Sequence, residues 1–223
     1  MNLYVQLLSV VILGNCLACG TVESSNPAVP VQERASTESL PASKDRQIAV
    51  FAGGCFWGVE AVFESIKGVS DVKSGYSGGT AKTANYDEVS DGTTAHAEAV
   101  QITFDPAVVS YEQLLEVFFK VAHDPTELNR QGPDTGPQYR SAIFFTNDEQ
   151  KRLTQNYIEK LGAAKTYPKP IVTQVVALEK FYDAEAYHQD YLPQNLDSPY
   201  IIAHDLPKLE NLKKQFPALY VKK

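Results

Sequence analysis

The chain has 223 residues, and 20 basic against 27 acidic side chains leave a net charge of −7 at pH 7. With 43% hydrophobic and 21% charged residues it is not disordered throughout, and it is long enough to bury a core without disulfides or metal. The acidic balance argues against broad nucleic-acid binding, and three cysteines leave no disulfide framework and no Cys-based zinc site.

Residues 3–13, LYVQLLSVVIL, are an apolar run too short to span a bilayer comfortably and of the size of a secretory h-region. The following GNCLACG places Leu17-Ala18 before Cys19, which resembles the lipobox of bacterial lipoproteins. That resemblance implies cleavage before Cys19 and lipid attachment to it. A plain cleaved signal is the alternative. Residues 1–19 are therefore read as an export or lipoprotein signal. The expected location is the periplasm, or a membrane to which a bacterial lipoprotein is anchored. Residues 20–45 hold Ser, Thr, Pro and Glu without periodicity and read as a disordered linker. The folded domain is expected over 46–223, as a monomer.

Gln47–Ala52 reads as a strand broken by Gly53-Gly54. Val59, Val62, Phe63 and Ile66 then form one helical stripe closed by Gly68. Lys73–Ala84, rich in Gly, Ser and Thr, reads as a loop. Glu98–Phe104 is strand-like. Ser110 looks like an N-cap for a helix over Tyr111–Ala122. His123–Gln138, with three prolines and two glycines, reads as a long ordered loop or lid. Tyr139–Phe145 is strand-like, Asn147–Leu161 a charged amphipathic helix, and Ile171–Leu178 the last good strand. Beyond Asp183 an aromatic tail is expected to wrap the surface. The mixture predicts an α+β fold, a two-layer α/β sandwich of ferredoxin-like type.

Cys55 sits where a strand feeds a helix through two glycines. A helix N-terminus favours the thiolate, the reactive form of cysteine. A buried structural cysteine is the alternative reading at this point. Phe56 and Trp57 place large apolar faces beside the sulfur.

Gly54–Glu60, GCFWGVE, resembles the signature of the A-type peptide methionine sulfoxide reductases (MsrA). Further blocks follow in order: Gly75–Gly79, Tyr86–Val89, His96–Val100, Phe104–Pro106, His123–Thr126, Asn129–Ser141, and Phe181 through Gln189. The resemblance covers about residues 47–192. It implies the MsrA fold and thiol-based reduction of methionine-S-sulfoxide, free or in oxidised proteins, with no cofactor and no metal. By resemblance Cys55 is the nucleophile and Glu98 the acid. Tyr86 and Tyr139 donate to the sulfoxide oxygen, Asp134 holds the polar side, and Phe56 with Trp57 forms the methyl slot. Many family members carry further cysteines that resolve the sulfenic acid; here none follows Cys55. An external thiol, thioredoxin or similar, is therefore implied as the recycling partner.

Three other readings compete. A Cys–His hydrolase or acyltransferase would draw on His96, His123, His188 or His204. A zinc deaminase would use the His96-Ala97-Glu98 spacing but needs a later Pro-Cys-x-x-Cys, which is missing. A non-enzymatic lipoprotein would keep the fold as a binding module.

Overall fold

The computed structural model describes residues 45–222. The expectations for the export signal, for Cys19 and for all but the last residue of the linker lie outside the described residues.

The chain begins with β1 (Gln47–Gly53), α1 (Phe56–Glu64), β2 (Val69–Ser77), α2 (Tyr86–Ser90) and β3 (Ala97–Phe104). It continues with α3 (Tyr111–Val117), β4 (Arg130–Gln131), β5 (Asp134–Thr135), β6 (Ser141–Phe145), α4 (Asp148–Ala163), β7 (Gln174–Ala177) and β8 (Phe181–Asp183). Two helices close it, α5 (Tyr191–Gln194) and α6 (Leu206–Gln215). Six strands form one sheet in the order β7-β6-β1-β3-β2-β8, and β4 pairs with β5 separately. The inner four, β6-β1-β3-β2, are all antiparallel, with α1 after β1 and α3 on the way from β3 to β6. This is the split βαβ arrangement of ferredoxin-like α+β folds.

Strand periodicity sorts the two faces of the sheet. Ala49 and Phe51 of β1, with Val100, Ile102 and Phe104 of β3, join the large core under α1 and α3. Their neighbours Val50, Ala52, Ala97 and Ala99 join a smaller cluster with Ala142 and Phe144. Glu98 shares the parity of Val100 and is therefore directed to the helical face, toward the start of α1. Local capping sets the helix starts: Ser110 and Gln113 form a reciprocal capping box on α3, and Asn147 accepts from the Gln150 N–H on α4.

Four elements differ from expectation. The first part of Lys73–Ala84, through Ser77, is strand rather than loop, because β2 is laddered on both sides, by β3 and β8. Its small residues fit that place: a Cβ on Gly75 would stand 2.3 Å from the Tyr182 carbonyl oxygen. Tyr139 lies in a one-turn 3-10 helix, Pro137–Tyr139, and β6 begins only at Ser141. The helix after Ser110 changes to a π turn at Phe118–Ala122. Finally, the tail beyond Asp183 is built into the molecule: Ile201, Asp205 and Leu212 are fully buried.

Candidate active site

Cys55 is the N-cap of α1 and 7% exposed. Two glycines let other segments close over it. A Cβ on Gly53 would meet the Phe118 and His123 rings, and one on Gly54 would lie 2.6 Å from the Gln131 side chain. Gly54 also has φ +91°, which an L side chain rarely adopts. The Cys55 side chain makes no cap hydrogen bond, but the nearby Trp57 backbone N–H at the helix start favours its thiolate. Burial nevertheless dominates: with the Glu98 and Asp205 carboxylates it holds the thiol well above its ordinary range, while the Trp57 N–H and the Lys208 ammonium pull the other way.

Glu98 is 2% exposed, and its Oε2 accepts the Phe56 N–H at 3.0 Å. That N–H is one of the donors a helix start leaves free. Burial pushes the Glu98 carboxyl up to about 8, Asp134 adds to this, and the Phe56 N–H opposes it. At neutral pH the group is therefore mostly a neutral acid beside a neutral thiol.

The half-buried Tyr86 and Tyr139 close the other side. The phenol pKa of each is raised, first by burial and then by Glu98, so both stay donors at neutral pH; Cys55 raises both as well. Tyr86 is held from behind: its backbone N–H donates to Glu185 Oε1 at 2.9 Å, while Tyr76 Oη–H donates to Glu185 Oε2 at 2.9 Å. Asp134 lines a cavity of about 100 Å³ together with Cys55, and its Oδ2 accepts the Tyr200 hydroxyl at 2.5 Å. Trp57 is half-exposed and stacks on Tyr191 with centroids 3.7 Å apart. Its Nε1–H donates to His188 Nδ1 at 3.1 Å. Phe56 is 1% exposed and packs behind it, 5.0 Å from the His188 ring.

The structure thus brings Cys55, Glu98, Tyr86, Tyr139, Asp134 and Trp57 around one point, with Phe56 beneath. Among the described residues no histidine ring bonds the thiol. His96 bonds the Thr80 carbonyl oxygen, His123 lies between the Phe118 carbonyl oxygen and Ser141, and His188 serves Trp57. No cluster of three or more metal-ligating side chains occurs among the described residues.

The sequence matches the peptide methionine sulfoxide reductase family model over residues 47–219. The chain belongs to this family. A relative from Mesorhizobium japonicum, "Peptide methionine sulfoxide reductase MsrA 2", is 56% identical over 82% of this chain and 93% of the relative. A protein of the same name from Synechocystis sp. is 55% identical over 75% and 78%. Among solved structures, reduced Mxr1 from Saccharomyces cerevisiae is similar at TM-score 0.65 and 34% identity, over 69% of this chain and 87% of that one. Methionine sulfoxide reductase A of Corynebacterium diphtheriae is similar at TM-score 0.60 and 33% identity, over 70% and 78%.

Sequence reasoning about this reductase-family chain missed the contribution of its tail. Tyr191 backs Trp57, Tyr200 reaches Asp134, and Lys208 and His204 line the cavity at Cys55. The aromatic content of the tail was the available signal. Glu185 and His188 stand in blocks that carry the family resemblance, but their tasks, holding the Tyr86 backbone and the Trp57 indole, follow from contacts between distant segments.

Proposed function

We propose that this chain is a peptide-methionine (S)-S-oxide reductase in which Cys55 is the nucleophile and Glu98 the acid. The observation that carries the reading is the buried carboxyl of Glu98, kept neutral near pH 7 and tied to the N–H that follows Cys55. Reduction of a sulfoxide needs a proton for the departing oxygen at the moment the sulfur is attacked. As Glu98 passes its proton to that oxygen, its carboxylate becomes the base that takes the Cys55 proton. The balance closes without a cofactor: thiol and sulfoxide become sulfenic acid and methionine. Tyr86 and Tyr139 donate to the oxygen, Asp134 with Tyr200 walls the polar side, and Trp57, backed by Phe56, receives the methyl group.

The oxidised Cys55 returns to thiol through an external thiolate. It attacks the sulfenic sulfur and displaces hydroxide as water, and a second thiol then releases Cys55 as the external pair becomes a disulfide. Thioredoxin or a similar dithiol fits this chemistry, since no cysteine follows Cys55. The apolar run at residues 3–13 and the Leu17-Ala18-Cys19 sequence support export, with Cys19 as the lipid-attachment residue.

Resolved epimers of a methionine sulfoxide peptide test the assignment. Turnover is expected on the S form, and equal rates on both would refute it.

A further inference from the structure

Asp205 precedes α6 and is completely buried against α1: a Cβ on Gly58 would stand 2.0 Å from its Oδ1. Lys208 Nζ donates to that Oδ1 at 3.0 Å, and its side chain is 18% exposed. The same imagined Cβ would lie 2.8 Å from Nζ, so the ammonium rests on the first turn of α1. Lys208 lines the cavity that also exposes Cys55, Asp134, Tyr200 and His204. The second Asp205 oxygen, Oδ2, is buried without a partner. Burying such a pair is a poor way to gain stability, because desolvation offsets the attraction.

The charges around the sulfur show what the pair can do. Glu98 faces it from β3, Asp134 from β5, and Asp205 from the turn before α6. Tyr86, Tyr139 and Tyr200 add phenols, and His204 an imidazole. The Glu98 and Asp205 carboxylates oppose negative charge on Cys55, while the Trp57 N–H favours it. Lys208 is the lysine at this cavity.

We propose that Lys208, anchored on buried Asp205, is a further positioning residue of the reaction: its ammonium holds the negative charge that the Cys55 sulfur acquires as it attacks. The inference rests on Cys55 being the nucleophile of the proposed reaction. Asp205 keeps the ammonium over α1 and, as an anion itself, limits how much thiolate exists at rest. The thiol is thus reserved for the moment when Glu98 becomes a base.

The test is the pH dependence of Cys55 alkylation by iodoacetamide in the full chain, with Lys208→Gln and Lys208→Arg beside the wild type. Alkylation is read by mass spectrometry on the tryptic peptide Gln47–Lys67, which contains one cysteine. Lys208→Gln keeps a donor for Asp205 but no charge, and its midpoint should rise by about one pH unit. Lys208→Arg should stay near the wild-type midpoint. In single turnover at pH 7, Lys208→Gln should lower the maximal rate by about tenfold and leave half-saturation in place, the split expected for a group felt in the transition state. A Lys208→Gln midpoint equal to that of the wild type overturns the proposal, as does an Arg variant displaced as far as the Gln variant. If the Gln variant does not fold, Lys208→Met is judged on the same midpoint. Alkylation requires no sulfoxide, so a failure of the reductase reading shows separately, as absent methionine with the Lys208 effect intact.

Discussion

Replacing Glu98 by Gln should lower activity and raise stability. The amide keeps the shape and an oxygen for the Phe56 N–H but cannot donate a carboxyl proton. General acid catalysis typically contributes about 10²–10⁴-fold, so single-turnover methionine production at pH 7 should fall by that much. In the wild type the rate should decline above pH 8, where the buried carboxyl loses its proton. The stability effect has the opposite sign. In the unfolded chain the carboxyl titrates near its ordinary 4.5, and in the folded chain near about 8. Its contribution to stability is thus fully present below the lower value and lost as pH rises through the upper one. At pH 7, returning the proton on folding costs about 3 kcal/mol, from the pH interval above the unfolded value at about 1.4 kcal/mol per unit. Gln has no such cost. Thermal unfolding should therefore show little difference between variant and wild type at pH 4.5. The variant should melt higher by several degrees at pH 8, at about 2–4 °C per kcal/mol for a chain of this size. A rate loss under about threefold would remove Glu98 from the mechanism, since that is well below 1 kcal/mol of barrier. A melting difference that is the same at pH 4.5 and pH 8 would show that burial does not hold the carboxyl neutral.

Three other outcomes are expected. Cys55→Ser should fold normally and release no methionine in single turnover; substantial residual production would point to a different nucleophile. A chain starting at Arg46, given no reductant, should stop after one methionine, with one oxidised sulfur by mass spectrometry, and a small dithiol should restart it. Two methionines per chain would demand a second oxidisable centre. Gly54→Ala should lose roughly 1–3 kcal/mol in urea unfolding, because φ +91° strains an L residue and the new Cβ meets Gln131 at 2.6 Å. Unchanged stability there would mean that the β4–β5 hairpin yields freely.

Local chemistry made several features legible from the residues alone. The run Gln47–Ala52, the Gly53-Gly54 break and the Val59, Val62, Phe63, Ile66 stripe place Cys55 at a helix start, since periodicity and glycine act over a few residues. Ser110 announced its helix because an N-cap bonds backbone three positions on. Even the direction of Glu98 follows from its parity with Val100 and Ile102. The rest needed the assembled molecule. The end of β2, Lys73–Ser77, reads as a loop because Gly and Ser are turn signals; it is a strand because neighbours on both sides satisfy its backbone and leave no room for larger side chains at Gly75. The neutrality of Glu98 depends on α1 closing over it from 42 residues away, and the indole of Trp57 is fixed by a histidine 131 residues distant. The tail carries no periodic signal that says which helix it will cover. Its Tyr200, Asp205 and Lys208 acquire a place beside Cys55 only when α6 packs on α1, because burial and electrostatic coupling depend on distance in space, which sequence separation does not set.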